Sequence, residues 1–192
     1  KEGSMKVLII DNYDSFTYIL YQYISEFIQV QVIKNDDPLP PLETVSAVVL
    51  SPGPGLPKSS GLLMQHIQAL LGKKPLLGVC LGHQAIAEAF GAHLEQSKEI
   101  FHGRVSKIQH SGNEIFNGIP NPIQVNRYHS WIVSKNNFPK ELKITAETED
   151  GFIMGFSSMN LENVYGIQFH PESILTEYGK EMIGNFCELV SK

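Results

Sequence analysis

The apolar run Pro75-Leu76-Leu77-Gly78-Val79 meets a cysteine, Cys80, and resumes after Leu81-Gly82-His83 as Gln84-Ala85-Ile86-Ala87-Glu88-Ala89-Phe90. A strand that breaks at Gly-x-Cys-x-Gly and continues as a helix is a nucleophile elbow. The two glycines are required because the backbone at the nucleophile is strained and side chains beside it would collide. The thiol of Cys80 then stands at a helix N-terminus, where the helix dipole favours the thiolate. The alternative, a buried structural cysteine, would need neither glycine.

The remaining parts of a hydrolytic site lie far along the chain. His170 follows the apolar stretch Val164-Tyr165-Gly166-Ile167-Gln168-Phe169 and so stands at a strand tip, where loops present chemistry. Glu172, two residues on, shares a face with His170 in extended chain. Its carboxylate is placed to accept the imidazole N–H and fix the tautomer, leaving the other ring nitrogen for the proton of Cys80. Ser51-Pro52-Gly53-Pro54-Gly55 follows the strand Ala47-Val48-Val49-Leu50. The backbone N–H groups of Gly55 and Leu81 are assigned as the oxyanion hole; a plain Pro/Gly turn is the alternative for the first of these segments.

The chain alternates strand-like and helix-like runs in its first half. Lys6-Val7-Leu8-Ile9-Ile10 reads as a buried strand. A helix carrying Phe16, Ile19, Leu20, Tyr23, Ile24 and Phe27 on its apolar face follows, capped by Asp14 or Ser15. Strands at Val30-Ile33 and Ala47-Leu50 come next, then a helix opened by Ser59 or Ser60 with Leu63, Ile67, Leu70 and Leu71 on one side. The elbow strand Leu76-Val79 and its helix complete the series. Such alternation predicts an α/β fold: a three-layer, doubly wound, mostly parallel sheet with right-handed crossovers, its reactive loops at the carboxyl edge. From about Ala92 to Phe169 short β-rich runs predict a small antiparallel excursion, before a closing helix from about Glu177. Cys187 falls on the helical face of Ile183 and Val190 and reads as core packing.

Three motifs, Ser51-Pro-Gly-Pro-Gly55, Gly78-Val-Cys-Leu-Gly-His-Gln84 and His170-Pro-Glu172, resemble those of the class I glutamine amidotransferases, a flavodoxin-like fold. Two further segments, Asp11-Asn-Tyr-Asp-Ser-Phe-Thr-Tyr18 and Arg127-Tyr-His-Ser130, are similar to the amidotransferase subunit of anthranilate synthase and of aminodeoxychorismate synthase. The resemblance runs from Met5 to the last helix. It implies that Cys80, His170 and Glu172 are catalytic and that Gly53, Pro54, Gly55, Gln84, Ser130 and Trp131 contact L-glutamine. It also implies that ammonia passes to a separate chorismate-using synthase chain, and that any magnesium requirement belongs to that partner. Ile19, Arg104 and Trp131 depart from the residues usual in the family (Asn, Lys and Leu). If Ser130 and Trp131 act through their backbone, the indole leaves glutamine recognition intact, while Ile19 and Arg104 would alter contacts with a partner.

Composition agrees with this reading. In 192 residues, 42% of them hydrophobic, there is material for one core, and a single domain over 5–192 is expected. Lys1-Glu2-Gly3-Ser4 before Met5 reads as a cloning remnant. A net charge of −5 without a basic stripe argues against nucleic acid as a partner. Two cysteines, one of them the nucleophile, make no disulfide framework. The sequence holds no membrane-length apolar run and no signal peptide, so a cytoplasmic enzyme is expected. His66, His93, His102 and His110 lack ligand spacing, and no metal or cofactor is expected. His83 reads as packing at the start of the elbow helix. His129 is open between a substrate or partner contact and a structural bond. Asp11, Asn12, Tyr13 and Asp14 form a loop at the elbow's edge, facing a partner or the glutamine site unless Asp14 is only a helix cap. A glutaminase serving another ammonia-using synthetase and a γ-glutamyl hydrolase are the alternative activities; a non-catalytic module of the same fold would not need the intact triad.

Overall fold

In the computed structural model, which describes residues 5–192, strand β1 (Lys6–Asp11) turns Val7 and Ile9 to one face and Leu8 and Ile10 to the other. All four are fully buried, so both faces of the sheet are covered. Helices α1 (Thr17–Ser25) and α4 (Gly179–Val190) contribute Leu20, Ile24, Ile183 and Phe186 to the Val7 side. Helices α2 (Leu63–Leu70) and α3 (Leu81–Ala89) contribute Leu63, Ile67, Leu81 and Ile86 to the Leu8 side. Three layers result. Cys187 packs in the first of these clusters, as its helical spacing predicts.

The other strands are β2 (Gln29–Lys34), β3 (Ala47–Leu50), β4 (Leu76–Val79), β5 (Leu94–His110), β6 (Ile123–Val133), β7 (Leu142–Thr148), β8 (Ile153–Ser158) and β9 (Val164–Ile167). They form one nine-stranded sheet in the order β2-β1-β3-β4-β9-β8-β7-β5-β6. The pairs from β2 to β9 are parallel, and the 2-1-3-4 order is that of a flavodoxin-like sheet. The pairs from β9 onward are antiparallel. The antiparallel excursion therefore extends the same sheet laterally, and it supplies four of the nine strands among the described residues. The reading of Lys1–Ser4 as a remnant falls outside those residues.

Three local expectations are corrected. Neither Asp14 nor Ser15 caps α1. Asp14 Oδ2 instead accepts the Phe16 N–H at 3.0 Å one turn earlier, while Asp11 Oδ1 accepts from the Asp14 N–H and the Thr17 hydroxyl. The apolar stripe of α1 is correspondingly narrower: Leu20 and Ile24 are buried, whereas Phe16 and Phe27 lie outside the helix and are about half exposed. Ser59 and Ser60 do not open α2, since Ser60 Oγ donates back to the Leu56 carbonyl at 2.8 Å and the helix starts at Leu63. The closing helix starts at Gly179 because Glu177 is tied to β6, its N–H donating to Gln124 O and its carboxylate accepting the Gln124 N–H.

Candidate active site

The parallel half of the sheet brings the carboxyl ends of β1, β3, β4 and β9 to one edge, and the expected site residues gather there. Cys80 follows β4 directly and has φ +52, a strained value for a residue with a side chain. Its N–H donates to Ile167 O at 2.8 Å and its carbonyl accepts from Gln84 N–H at 3.0 Å, so strand pairing and helix start hold it from both sides. The glycines around it are needed for close approach. A Cβ on Gly78 would lie 2.4 Å from the Gly82 backbone, and one on Gly82 would lie 2.5 Å from Leu50 O. Only this spacing lets α3 begin one residue after the strand.

His170 and Glu172 form the expected pair. The imidazole Nδ1 stands 2.5 Å from Glu172 Oε1, and both side chains are almost wholly buried. The loop that carries them is stitched to β6: the His170 N–H donates to Asn126 O, and the Thr176 hydroxyl donates to His170 O while accepting the Asn126 N–H. Tyr128 packs edge-on against the imidazole, with ring centroids 5.4 Å apart. Nε2 of His170 is buried without a hydrogen-bond partner among the described residues. Burial works against a charge on this imidazole, but the Cys80 sulfur and the Glu172 carboxylate outweigh it and raise its pKa well above the ordinary value. That environment favours the imidazolium form of His170. The tight Cys80–His170 bond is absent in the resting geometry, as is common before substrate binds.

The loop Ser51–Gly55 is held beside the elbow by Asn12. Its N–H donates to Ser51 Oγ and its Nδ2 donates to Ser51 O, each at 2.8 Å, while Asn35 Nδ2 donates to Asn12 Oδ1. Gly53 packs against Asn12 and the Leu81 side chain; Pro54 and Gly55 are exposed, Gly55 with φ +75. The Asp11–Asp14 segment thus divides. Asp11, paired with Lys34 Nζ at 2.6 Å, and Asn12 are structural, whereas Tyr13 is exposed, its hydroxyl donating to Asp36 Oδ1 at 2.7 Å beneath Lys34.

Gln84 is buried, and both hydrogens of its Nε2 are used, on Trp131 O at 3.0 Å and Gln168 Oε1 at 3.2 Å. Ser130 falls opposite the irregularity between Gln96 and Phe101 in the β5–β6 ladder. Trp131 O also accepts from His129 Nδ1, and His129 Nε2 accepts from Arg127 Nε at 3.1 Å. His129 is therefore a structural residue, kept neutral by burial and by the Arg127 charge, with its pKa lowered to about 3. His83, fully buried against Phe156, is likewise neutral. The parts played by Gln168, Tyr128 and Arg127 went unread in the sequence. Gln168 donates to Cys80 Sγ from Nε2 at 3.5 Å, and Tyr128 O faces the same sulfur at 3.5 Å. Arg127, buried between Phe101 and Phe152, anchors the His129 bond. Only their partners in space reveal them. Among the described residues no group of three or more His, Cys, Asp or Glu side chains is disposed to hold a metal ion, and no helix is long and apolar enough to cross a membrane.

Beside the His170–Glu172 pair opens a groove of about 530 Å³ lined by Phe16, Ile19, Tyr23, Tyr128 and Leu175. At its rim Ile174 is 96% exposed.

Comparison with known proteins agrees with this fold. The model of the glutamine amidotransferase class-I family matches residues 8–190. The aminodeoxychorismate/anthranilate synthase component 2 of Bacillus subtilis is 43% identical over 97% of this chain and 97% of its own length. The bifunctional protein TrpGD of Thermotoga maritima is 44% identical over 96% of this chain, which spans only 32% of that longer protein. Among solved structures, a Thermoplasma acidophilum protein described as a GMP synthase subunit superposes with TM-score 0.88 at 25% identity, covering all of this chain and 96% of the other.

Proposed function

The chain belongs to the class I glutamine amidotransferase family, and on that premise we propose that Cys80, His170 and Glu172 make it the glutamine-hydrolysing subunit of a chorismate-using synthase, whose product is anthranilate or 4-amino-4-deoxychorismate. The observation that carries this reading is Cys80, strained at the strand–helix turn with its sulfur beside a buried His170–Glu172 pair. The Cys80 thiolate attacks the side-chain amide carbon of glutamine, and the backbone N–H groups of Gly55 and Leu81 receive the oxyanion. His170 delivers its proton to the departing nitrogen, and the C–N bond breaks to leave ammonia and a γ-glutamyl thioester. Water, losing a proton to His170, then hydrolyses the thioester to glutamate. Gln84, its N–H donors already used, presents Oε1 to the α-ammonium of glutamine, with Ser130 and Trp131 backbone groups opposite.

Ammonia made in solution would be lost, so the reading includes a partner. The apolar groove next to His170, rimmed by the exposed Ile174 and Leu175, supports docking of a second chain over the site. The higher identity to the component 2 protein than to the GMP synthase protein favours a chorismate enzyme over other ammonia users.

The test uses Cys80→Ser. With a candidate chorismate-using synthase, the native chain is expected to support product formation from glutamine. The Cys80→Ser chain still forms the complex and supports product from added ammonia, but its glutamine-dependent rate falls by about four to six orders of magnitude. Glutamine-supported turnover by the variant, or no complex with any chorismate enzyme, refutes the reading.

A further inference from the structure

We propose that Gln168 is the positioning residue for the nucleophile, holding the Cys80 sulfur through its side-chain N–H and coupling it to the glutamine pocket through Gln84. The proposal deepens the reading of the site as a glutaminase and rests on it for its kinetic arm alone.

Gln168 is fully buried between the elbow helix and the end of β9. A buried amide is costly unless both its ends are bonded, and an apolar side chain would fill the same space without that requirement. Both ends are used here: Oε1 accepts from Gln84 at 3.2 Å, and Nε2 donates to Cys80 Sγ at 3.5 Å. The direction of the amide is not free. Arg127 can only donate, so His129 Nε2 accepts and its Nδ1–H donates to Trp131 O. Trp131 O, a carbonyl, can only accept, which orients Gln84 with its NH₂ toward Trp131 and Gln168. Gln168 must then turn its oxygen to Gln84 and its NH₂ to the sulfur. A flipped amide would set NH₂ against NH₂ and oxygen against sulfur.

The chemical consequence appears on ionisation. The neutral thiol donates to Tyr128 O, but that carbonyl repels a thiolate. Among the described residues, the side chain that already donates to the sulfur is Gln168, through Nε2, with the His170 imidazole facing it. The N–H of Gln168 thus gains strength as the nucleophile forms, since hydrogen bonds to charged groups are about twice as strong as neutral ones. The other titratable groups in this surrounding are Glu172 behind His170, Asp14 facing both, and the neutral His83 and His129. None of them contacts Gln168 by hydrogen bond.

The test measures iodoacetamide alkylation of Cys80 against pH by peptide mass spectrometry in the native chain, in Gln168→Met and Gln168→Leu, and in Gln84→Met. Alkylation needs no glutamine, so its outcome is independent of the glutaminase reading, which fails separately if the native chain with its synthase makes no product from glutamine. Both Gln168 variants are expected to move the pH midpoint of alkylation up by about one unit and to lower kcat for glutamine about tenfold to a hundredfold. Gln84→Met, which frees the Gln168 amide without removing it, moves the midpoint by a smaller amount in the same direction and raises KM more than it lowers kcat. A merely structural Gln168 would lower Tm and leave the midpoint in place; that result overturns the proposal. Should both Gln168 variants fail to fold, an unmoved midpoint in Gln84→Met overturns it equally.

Discussion

The parallel and antiparallel halves of the sheet build the site by different means. In the parallel half each functional element follows its own strand within one or two residues: Cys80 after β4, Ser51 after β3, Asn12 after β1. In the antiparallel half nothing functional sits at a strand end. Arg127, Tyr128, His129 and Trp131 act from within β6, by side chains or carbonyls reaching across to β5, α3 and the His170 loop. The first half places reactive groups; the second sets the direction in which their hydrogen bonds run. Each can be tested against the other.

The largest effects belong to the crossing loop, where a parallel strand tip is pinned to β6. On the proposed mechanism His170→Ala removes both the proton carrier and the partner of the thiolate, and a loss of about four to six orders of magnitude in kcat is expected. Glu172→Ala leaves the imidazole in place but unoriented, and is expected to be about tenfold to a hundredfold milder. Equal loss in both, with intact folding, would contradict the orienting role. The pH dependence has a defined sign. Burial disfavours the His170 cation, yet Cys80 and Glu172 together raise its pKa, so the imidazolium persists above pH 6.5 and the alkaline limb of kcat/KM lies above that value. Glu172→Gln removes a negative charge and moves that limb toward acid. The stability that His170 contributes is fully present below about pH 6.5 and is lost as pH rises through the raised folded value. The native chain is thus expected to lose thermal stability on the alkaline side more than Glu172→Gln does.

This division also explains what the sequence could disclose. Gly78-x-Cys80-x-Gly82 and His170-Pro171-Glu172 are local, and each spacing carries its own geometric reason, such as the Gly78–Gly82 contact. The parallel order was legible for the same cause, in short buried runs separated by helices. Caps failed because Asp14 and Ser60 had nearer backbone groups to bond than the helix ends assigned to them. Gln168 stood within a run read only as a strand, because its partners lie 84 and 88 residues away. Arg127 and His129 stand in a segment quoted only for its resemblance; their bonds depend on Phe101 lying across the β5–β6 ladder and on the carbonyl of Trp131 two residues along β6, which that segment does not disclose.

Arg127→Met breaks the antiparallel half at its anchor and is expected to have an intermediate effect. The guanidinium carbon lies 3.5 Å from the Phe101 ring centroid, and burial lowers its pKa only to about 10, so it remains charged at neutral pH. Losing that stacking and the His129 bond should cost about 2–3 kcal/mol, a fall in Tm of roughly 5–10 °C for a chain of this length. Methionine retains the volume but no donor, so His129 is free to take the other tautomer and Gln84 loses its fixed acceptor geometry. A fewfold fall in kcat per folded molecule accompanies the loss of stability, measured on samples matched by near-UV spectrum. A Tm loss with unchanged kcat would reduce the antiparallel half to scaffolding.

The smallest effect is expected at Arg104, three residues before Lys107 on the same strand as the Arg127 partner Ser106. Arg104 pairs with Glu99 at 2.9 Å, but both side chains are more than half exposed, 58% and 59%. Exposed pairs of this kind contribute about 0–1 kcal/mol, since water screens the charges and two long side chains must be ordered to meet. Arg104→Lys keeps the charge, reaches Glu99 with one donor in place of a planar fork, and exchanges the guanidinium that lies 5.4 Å from the Phe101 ring centroid for an ammonium, while Arg127 keeps its own closer stacking on that ring. Its Tm should therefore stay within about 1 °C of the native value, and the glutaminase rate of the isolated chain should not change. Arg104 makes no hydrogen bond that leads to Cys80, and lysine keeps a cation beside Phe101, so the change expected is one in contact with a partner, read as the salt dependence of complex formation. A loss of activity in the isolated Arg104→Lys chain comparable to that of Arg127→Met would show that the outer edge of β5 shares the work here given to β6 alone.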